Sequence, residues 1–385
     1  MNSTSPSSGP RCVLVTGSLQ PYAIDFYRAL DRSLRSKGWD FQVIVGNRST
    51  YRPWASMGIE ENDPLFSFVS GKPAPEWVQK LLGSSFRDKI LLPGGSGIIE
   101  ALAARLPDLL ILNERNPLNL SVAFWAKRRR LPCILSTDIG AAPPSFAATP
   151  AHLKYHRLIR GLFNGVIAKT PDAMTAFARK GAPEPVLAPH GIDPVRFPLP
   201  EKDEKAEPFR FLFVGMLEPI KGLDTLCEAG RLLHDRGRRF EIRIVGTGSW
   251  QPPAAARNAP WLSLAGFRER GELLHEYHAA RAFVLASHGD TYGVVVHEAA
   301  ACGLPVLVSH SSGACHTLAV EGESGFRFDS KQPEELASKM DALLDDSALE
   351  RRLGAGARQL AEKWSTVRSG ERVAEWLLQL RPSVA

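Results

Sequence analysis

Runs of consecutive apolar residues alternate along the chain with stretches in which apolar residues recur every three or four positions. The first pattern marks a strand buried on both faces, the second a helix with one buried stripe. Cys12 to Thr16 is such a run and closes at Gly17; Ala23 to Leu34 has the helical period; Phe41 to Val45 is a second run after Lys37-Gly38. Together they predict a β-α-β unit. The rhythm continues with strands at Leu109 to Leu112, Cys133 to Leu135 and Val166 to Ala168, separated by helices at Leu118 to Lys127 and His152 to Leu162. Between residues 50 and 105 it weakens, and only a helix over Gly97 to Arg105 is assigned.

Arg196 to Pro208, RFPLPEKDEKAEP, holds three prolines and a cluster of charges without an apolar period, the composition of an interdomain linker. Beyond it, strands at Phe211 to Val214, Ile242 to Val245, Leu262 to Leu264, Phe283 to Ala286 and Val306 to Val308 alternate with helices at Gly222 to Leu233, Glu272 to Ala279 and Val295 to Cys302. Alternation on both sides of one linker predicts an α/β chain of two doubly wound parallel sheets. The expected limits are a disordered polar N-terminus over 1–10, a first domain over 11–195, the linker over 196–208 and a second domain over 209–364. Ligands of such sheets bind beyond the carboxyl ends of the strands, so the loops after strands are where chemistry is sought.

Composition narrows the class further. With 44% hydrophobic and 23% charged residues, and Gly and Pro scattered, collagen-like, low-complexity and fully disordered readings are excluded. No apolar stretch approaches the roughly 20 residues of a membrane-spanning helix, and Asn2 to Pro10 lacks the charged and apolar regions of a secretion signal, so a cytoplasmic location is expected. Five cysteines, odd in number and without a CxxC pair, argue against a zinc site or a disulfide framework and are expected to be reduced core residues. The net charge of +6 divides unevenly: residues 1–200 carry 24 Lys and Arg against 15 Asp and Glu, residues 201–385 carry 23 against 26. A basic front half suggests an acidic partner. Its densest run, Lys127-Arg128-Arg129-Arg130, followed by Lys154, Arg157 and Arg160, reads either as a docking patch or as helix ends where cations complement the dipole. Nucleic acid is disfavoured, because no zinc-finger spacing or aromatic-interleaved basic stripe accompanies it.

The most informative loop is Ser287 to Glu298, between a predicted strand and a helix. Asp290 and Glu298 stand eight residues apart, the first in the loop and the second about one turn into the helix. A helix start offers free N–H groups to a phosphate, and Gly293 leaves room for close approach. Carboxylates repel bare phosphate but accept hydrogen bonds from the paired hydroxyls of a sugar. The combination suits a nucleotide sugar, the alternative being an acidic first turn on an ordinary helix.

The segment DTYGVVVHEAAACGLPVLVS resembles the donor-binding segment of glycosyltransferase family four, whose pattern is a glutamate, seven residues, a glutamate, an alanine-rich helix and a Gly-x-Pro-Val strand. Phe211 to Leu217 with Lys221-Gly222, Ile244 to Gly248, Leu264 to Phe267, Glu321 to Phe326, and Ala188 to Asp193 with Arg196-Phe197 are similar to further segments of that family. In the front half the likeness is carried only by Pro21-Tyr22 with Phe26 and Leu30. The resemblance implies the GT-B fold, two Rossmann-like domains facing across a cleft, with donor in the back domain, acceptor in the front one, and the last helix, about 365–380, packing back onto the front domain. It implies a retaining transfer with no metal, in keeping with the lack of an Asp-x-Asp sequence.

Residue by residue, it assigns Gly215, Lys221, Gly246, Phe267, Asp290, Tyr292, Gly293, Val294 and Glu298 to the donor and Gly17 to a front-domain loop. Lys221, Asp290 and Asp138 are the candidate catalytic groups: Lys221 for the departing diphosphate, Asp290 for the sugar, Asp138 for the sugar or the acceptor hydroxyl unless it only caps a turn. There are three departures from the family pattern. Asp290 stands for a glutamate, Met216 for an arginine, and Asp138 for a histidine. No cofactor is expected, the nucleoside-diphosphate sugar being substrate. The expected function is transfer to a hydroxyl acceptor in bacterial-type surface glycan or glycolipid synthesis, with a sugar-nucleotide epimerase or a catalytically silent binding subunit as alternatives. The basic front half suggests a lipid-linked glycan acceptor and docking to an anionic membrane at its inner face, with Leu153, Leu158 and Leu162 entering it. His297 is expected to pack, His275 and His278 to line a solvated helix face, Trp364 and Trp376 to be core, and Gly94 to Gly97 to form a turn or a phosphate nest.

Overall fold

The computed structural model describes residues 9–17, 19–46, 59–60, 63–69, 97–114, 117–139, 150–200 and 207–384. Two compact units divide them: one holds the described residues up to 188 together with 369–384, the other residues 189–368.

The first unit is a parallel sheet of β1 (Arg11–Thr16), β2 (Asp40–Val45), β3 (Phe66–Phe68), β4 (Leu109–Asn113), β5 (Cys133–Thr137), β6 (Gly165–Ala168) and β7 (Val186–Leu187), in the order β3-β2-β1-β4-β5-β6-β7. Its helices are α1 (Pro21–Arg35), α2 (Ile98–Arg105), α3 (Pro117–Arg128), α4 (Pro150–Arg160) and α5 (Pro171–Phe177). The strands predicted from apolar runs are buried on both faces, as the runs require: one core holds Leu14, Phe41 and Ile167 with α1, the other Val13, Leu110 and Leu135 with α2, α3 and α4. The order reverses between β1 and β4, which makes their carboxyl ends the place where loops diverge and leave a crevice.

The second unit repeats the arrangement with β8 (Arg210–Val214), β9 (Glu241–Val245), β10 (Leu262–Gly266), β11 (Ala282–Leu285), β12 (Val306–Ser309) and β13 (Gly325–Phe328), ordered β10-β9-β8-β11-β12-β13 and all parallel. Helices α6 (Leu223–Asp235), α7 (Arg270–Ala279), α8 (Val294–Ala301), α9 (Cys315–Leu318), α10 (Pro333–Asp345) and α11 (Ser347–Lys363) cover it. A last helix, α12 (Thr366–Val384), is counted with the first unit from residue 369. There Gly370 lies against Ala29, where a Cβ would stand 3.0 Å from the Ala29 backbone, and Trp376 Nε1 donates to Glu184 O at 2.9 Å.

The boundary between the units falls at 188/189 rather than at 195/196. His190 stacks edge-on against Tyr292 at 5.2 Å and Phe197 against Tyr277 at 6.1 Å, so apolar contacts draw the stretch before the linker into the second unit. Of the expected linker, residues 201–206 lie outside the described residues, as do residues 1–8 of the expected disordered N-terminus and Gly94 to Ser96. All five cysteines are buried, and none of them is in a disulfide. Among the described residues no helix is long and apolar enough to cross a membrane.

Candidate functional site

The second unit's switch point lies between β8 and β11, and the loops after these strands are pinned to each other. After β8 the chain passes Gly215 and Met216 and makes a short turn, Pro219–Lys221, that ends at Gly222. Gly222 has a φ of 67°, and a Cβ there would stand 1.9 Å from Ala286 O; only glycine lets this loop lie against the end of β11. His288 N donates to Ile220 O at 2.8 Å, and the two loops meet in an ion pair, Lys221 Nζ to Asp290 Oδ2 at 2.7 Å. The loop after β9 is laced in as well: Leu217 N donates to Thr247 O, Trp250 N to Leu217 O, and Ser249 Oγ to Glu218 Oε2 at 2.6 Å. Gly246 sits where a Cβ would strike Gly215 O.

After Asp290 the chain turns at Tyr292 and enters α8 at Gly293, which is left-handed (φ 89°) with Leu285 and Ser312 close by. Val294 opens the helix, so its N–H is among those a helix start leaves free for an anion. Glu298, one turn further, accepts from Tyr277 Oη at 2.8 Å. Burial pushes its carboxyl up to about 7, against the opposing pull of the Tyr277 hydroxyl and the Arg270 charge. Phe267, just past β10, is 69% exposed and offers a ring face at the edge of the same loop surface. Met216 is 66% exposed. Gly215, Lys221, Gly246, Phe267, Asp290, Gly293, Val294 and Glu298 therefore all lie at or just beyond the carboxyl ends of this sheet's strands. Tyr292 differs from expectation: the residue is buried, with Oη 3.4 Å from Thr317 Oγ1, so its side chain packs the core.

In the first unit, Gly17 and Asp138 follow β1 and β5. Asp138 O accepts from Thr170 Oγ1 at 2.9 Å, and the Asp138 carboxylate acts on Lys169, a residue outside the motifs of the sequence. Lys169 is only 3% exposed, its Nζ 3.9 Å above the Phe26 ring. Burial brings its ammonium down to about 8, with Glu114 and then Asp138 opposing the shift. Glu114, held with a φ of 72°, accepts from Thr137 Oγ1 at 3.2 Å. A lysine directly after a buried strand was the available signal for Lys169; Tyr277, 21 residues before Glu298, left none.

The remaining histidines resolve simply. His297 is fully buried, its Nε2 donating to Ala361 O at 2.8 Å, and burial takes its pKa down to about 4, so it packs. His278 donates to Pro198 O at 2.8 Å. Among the described residues no three His, Cys, Asp or Glu side chains converge as metal ligands.

Residues 197–360 match the family of glycosyl transferases group 1. A D-inositol 3-phosphate glycosyltransferase of Frankia alni is 34% identical over 175 residues, 41% of this chain and 43% of the relative; a glycogen synthase of Mycobacterium tuberculosis is 29% identical over 208 residues, 52% and 50%. The chain thus spans about half the length of these curated relatives. The Anabaena HepE protein, solved in complex with UDP, superposes with a TM-score of 0.72 over 96% of this chain and all of that one, at 17% identity. The fold is GT-B. Within this GT-B chain the family match covers the strands and loops that carry Lys221, Asp290 and Glu298, whereas the first unit lies outside it.

Proposed function

We propose that the chain is a retaining, metal-independent glycosyltransferase that moves a sugar from a nucleoside diphosphate to a hydroxyl acceptor. The observation that carries this reading is the Lys221–Asp290 pair at the switch point of the 189–368 unit, with Glu298 one turn into the helix that follows. Glu298 takes the ribose hydroxyls, Asp290 a sugar hydroxyl, and Lys221 with the N–H groups at the start of α8 takes the diphosphate. Phe267 stacks on the base. In the unliganded chain Lys221 and Asp290 neutralise each other; a bound donor gives the ammonium an anion and frees the carboxylate for a hydroxyl. The bond from the anomeric carbon to the diphosphate oxygen breaks, the acceptor oxygen bonds to that carbon, and the acceptor proton passes to the departing diphosphate oxygen. Lys221 stabilises the charge that grows on the departing diphosphate. With Met216 where the family resemblance places an arginine, it does so without a second cation at that position.

The first unit takes the acceptor, with Asp138 beside the Lys169 ammonium as the group that meets its hydroxyl. The acceptor in this reading is a lipid-linked or surface glycan, met at the cytoplasmic face of a membrane. The titration of a panel of nucleoside-diphosphate sugars, with and without divalent cations, tests the donor half: one base and sugar should raise the melting temperature without metal. Release of nucleoside diphosphate that depends on added acceptor supports transfer. Consumption of donor without acceptor would point to an epimerase instead, and binding without turnover to a silent subunit.

A further inference from the structure

The positive balance of the chain has one source. Between residues 115 and 171 there are nine Lys and Arg and a single acidic residue, Asp138, whereas the whole chain carries only +6. Asp138 and Lys169 sit at the carboxyl ends of β5 and β6; the other cations of the described part, Lys127, Arg128, Arg129, Arg130, Lys154, Arg157 and Arg160, belong to α3, to the turn after it and to α4. These two helices join neighbouring parallel strands, β4 to β5 and β5 to β6, and right-handed crossovers put both on one face of the sheet. They also share a core: Val122 and Ala126 of α3 are buried in the same cluster as Ile159 of α4 and the Leu162-Phe163 pair that follows. Leu162, expected to enter a membrane, is therefore committed to the core.

The outward faces repeat one arrangement. On α3, Phe124 is 54% exposed, with Lys127 and Arg128 exposed three and four residues later and so beside it. On α4, Leu158 is 74% exposed, with exposed Tyr155 and Lys154 three and four residues earlier and Arg157 adjacent; Leu153 is exposed one residue before Lys154. Arg129 folds its guanidinium over Trp125 at 4.5 Å, which keeps the apolar surface and the charge together. A large apolar side chain ringed by cations, twice on one face and with no carboxylate on either helix, matches a layer in which anionic headgroups lie above hydrocarbon. Long basic side chains reach the headgroups while the apolar side chains go below them.

We propose that the α3–α4 face docks the protein on an anionic lipid surface, with Phe124, Tyr155 and Leu158 entering the interface and Lys127, Arg128, Lys154 and Arg157 contacting headgroups. The proposal does not depend on the glycosyl-transfer reading, and its test measures only partition. The full chain is sedimented with vesicles of phosphatidylcholine alone and of phosphatidylcholine mixed with phosphatidylglycerol, at low and at physiological salt. Pelleting is expected only with phosphatidylglycerol, and with a sharp loss as salt rises. Neutralising the four cations (K127A, R128A, K154A, R157A) should weaken partition by at least about a hundredfold, and F124S with L158S by at least about tenfold, at an unchanged melting temperature because all six positions are exposed. Protein left in the supernatant with phosphatidylglycerol vesicles at low salt, equal pelleting with phosphatidylcholine alone, or variants that partition like the parent would overturn it. So would an oligonucleotide that binds through these residues while the vesicles do not, an outcome that assigns the face to nucleic acid.

Discussion

The two units carry one topology and place a lysine at the carboxyl end of each sheet, but they set its charge by opposite means. Lys221 lies on a loop, part-exposed, with Asp290 2.7 Å away as a counter-ion. Lys169 lies directly after β6, buried over the Phe26 ring, and its charge is opposed chiefly by desolvation. A loop cation with a carboxylate partner can exchange that partner for an anion at little cost in structure. A buried amine with a pKa near 8 cannot leave its place, but it can hold a proton loosely near neutral pH and orient the Glu114 and Asp138 carboxylates that face it. Shared topology thus sets where polar groups gather, and the distance of each from solvent sets what they can do there.

The sharpest way to break this contrast is Lys221→Ala. If Lys221 is the exchangeable cation, turnover should fall about a hundredfold, the usual effect of removing one donor aimed at developing charge, with the melting temperature nearly unchanged. Equal rates would mean that the diphosphate is neutralised elsewhere. Lys169→Met should do the reverse. Because its pKa is lowered from the ordinary 10.5 to about 8 in the folded chain, the unfolded chain binds the extra proton between those values, and stability rises with pH across that window. Below about pH 8 the buried charge costs roughly 3 kcal/mol, so Lys169→Met should raise stability there and flatten the rise from pH 8 to 10.5. Urea melts across that range check it, and a variant that is less stable at neutral pH would show that Lys169 is a structural ion after all.

Glu298 sharpens the comparison at the donor loops. Glu298→Gln should weaken nucleotide-sugar binding by about 1.5–3 kcal/mol, the loss of charge-assisted hydrogen bonds. Burial pushes its carboxyl up to about 7, so the affinity of the parent for UDP-glucose, used as probe, should climb as pH rises from 6 and level off above about 8, while the variant stays flat. Calorimetry at several pH values reads both. The smallest effect is expected at Phe267, where replacement by Ala removes one exposed stacking face: about 1 kcal/mol of affinity for UDP, with kcat unaffected. A larger loss in kcat than in affinity would place the ring at the reacting end of the donor rather than at the base.

Much of this was legible along the chain, because buried parallel strands must be continuous apolar runs and the helices between them must have one apolar stripe. The runs at 12–16, 41–45, 109–112, 133–135, 211–214, 242–245, 283–286 and 306–308 all lie within or at the strands found, and the helix expected over 97–105 is α2. β3 and β7, three and two residues long at the sheet's two edges, are too short to leave a run, and β13, at an edge of the second sheet, is Gly-Phe-Arg-Phe and has no continuous apolar run either. The loop chemistry was legible for the same reason: Lys221-Gly222 and Asp290 to Glu298 are local sequences following predicted strands.

Local sequence determined which segments are strands, which loops follow them, and which residue types stand in those loops, since each depends on neighbours within a few positions. Tertiary structure alone decided the rest. It turned the Tyr292 ring into the core while Phe267 stayed at the surface, paired Lys221 with Asp290 across 69 residues, set the Tyr277 hydroxyl on Glu298, and drew residues 189–197 into the second unit. It also buried Leu162 and exposed Leu158 on what had read as one basic stretch. These outcomes depend on burial, and burial is set by which distant elements pack against a residue, so desolvation and the pKa shifts that follow from it become visible only once the chain has folded.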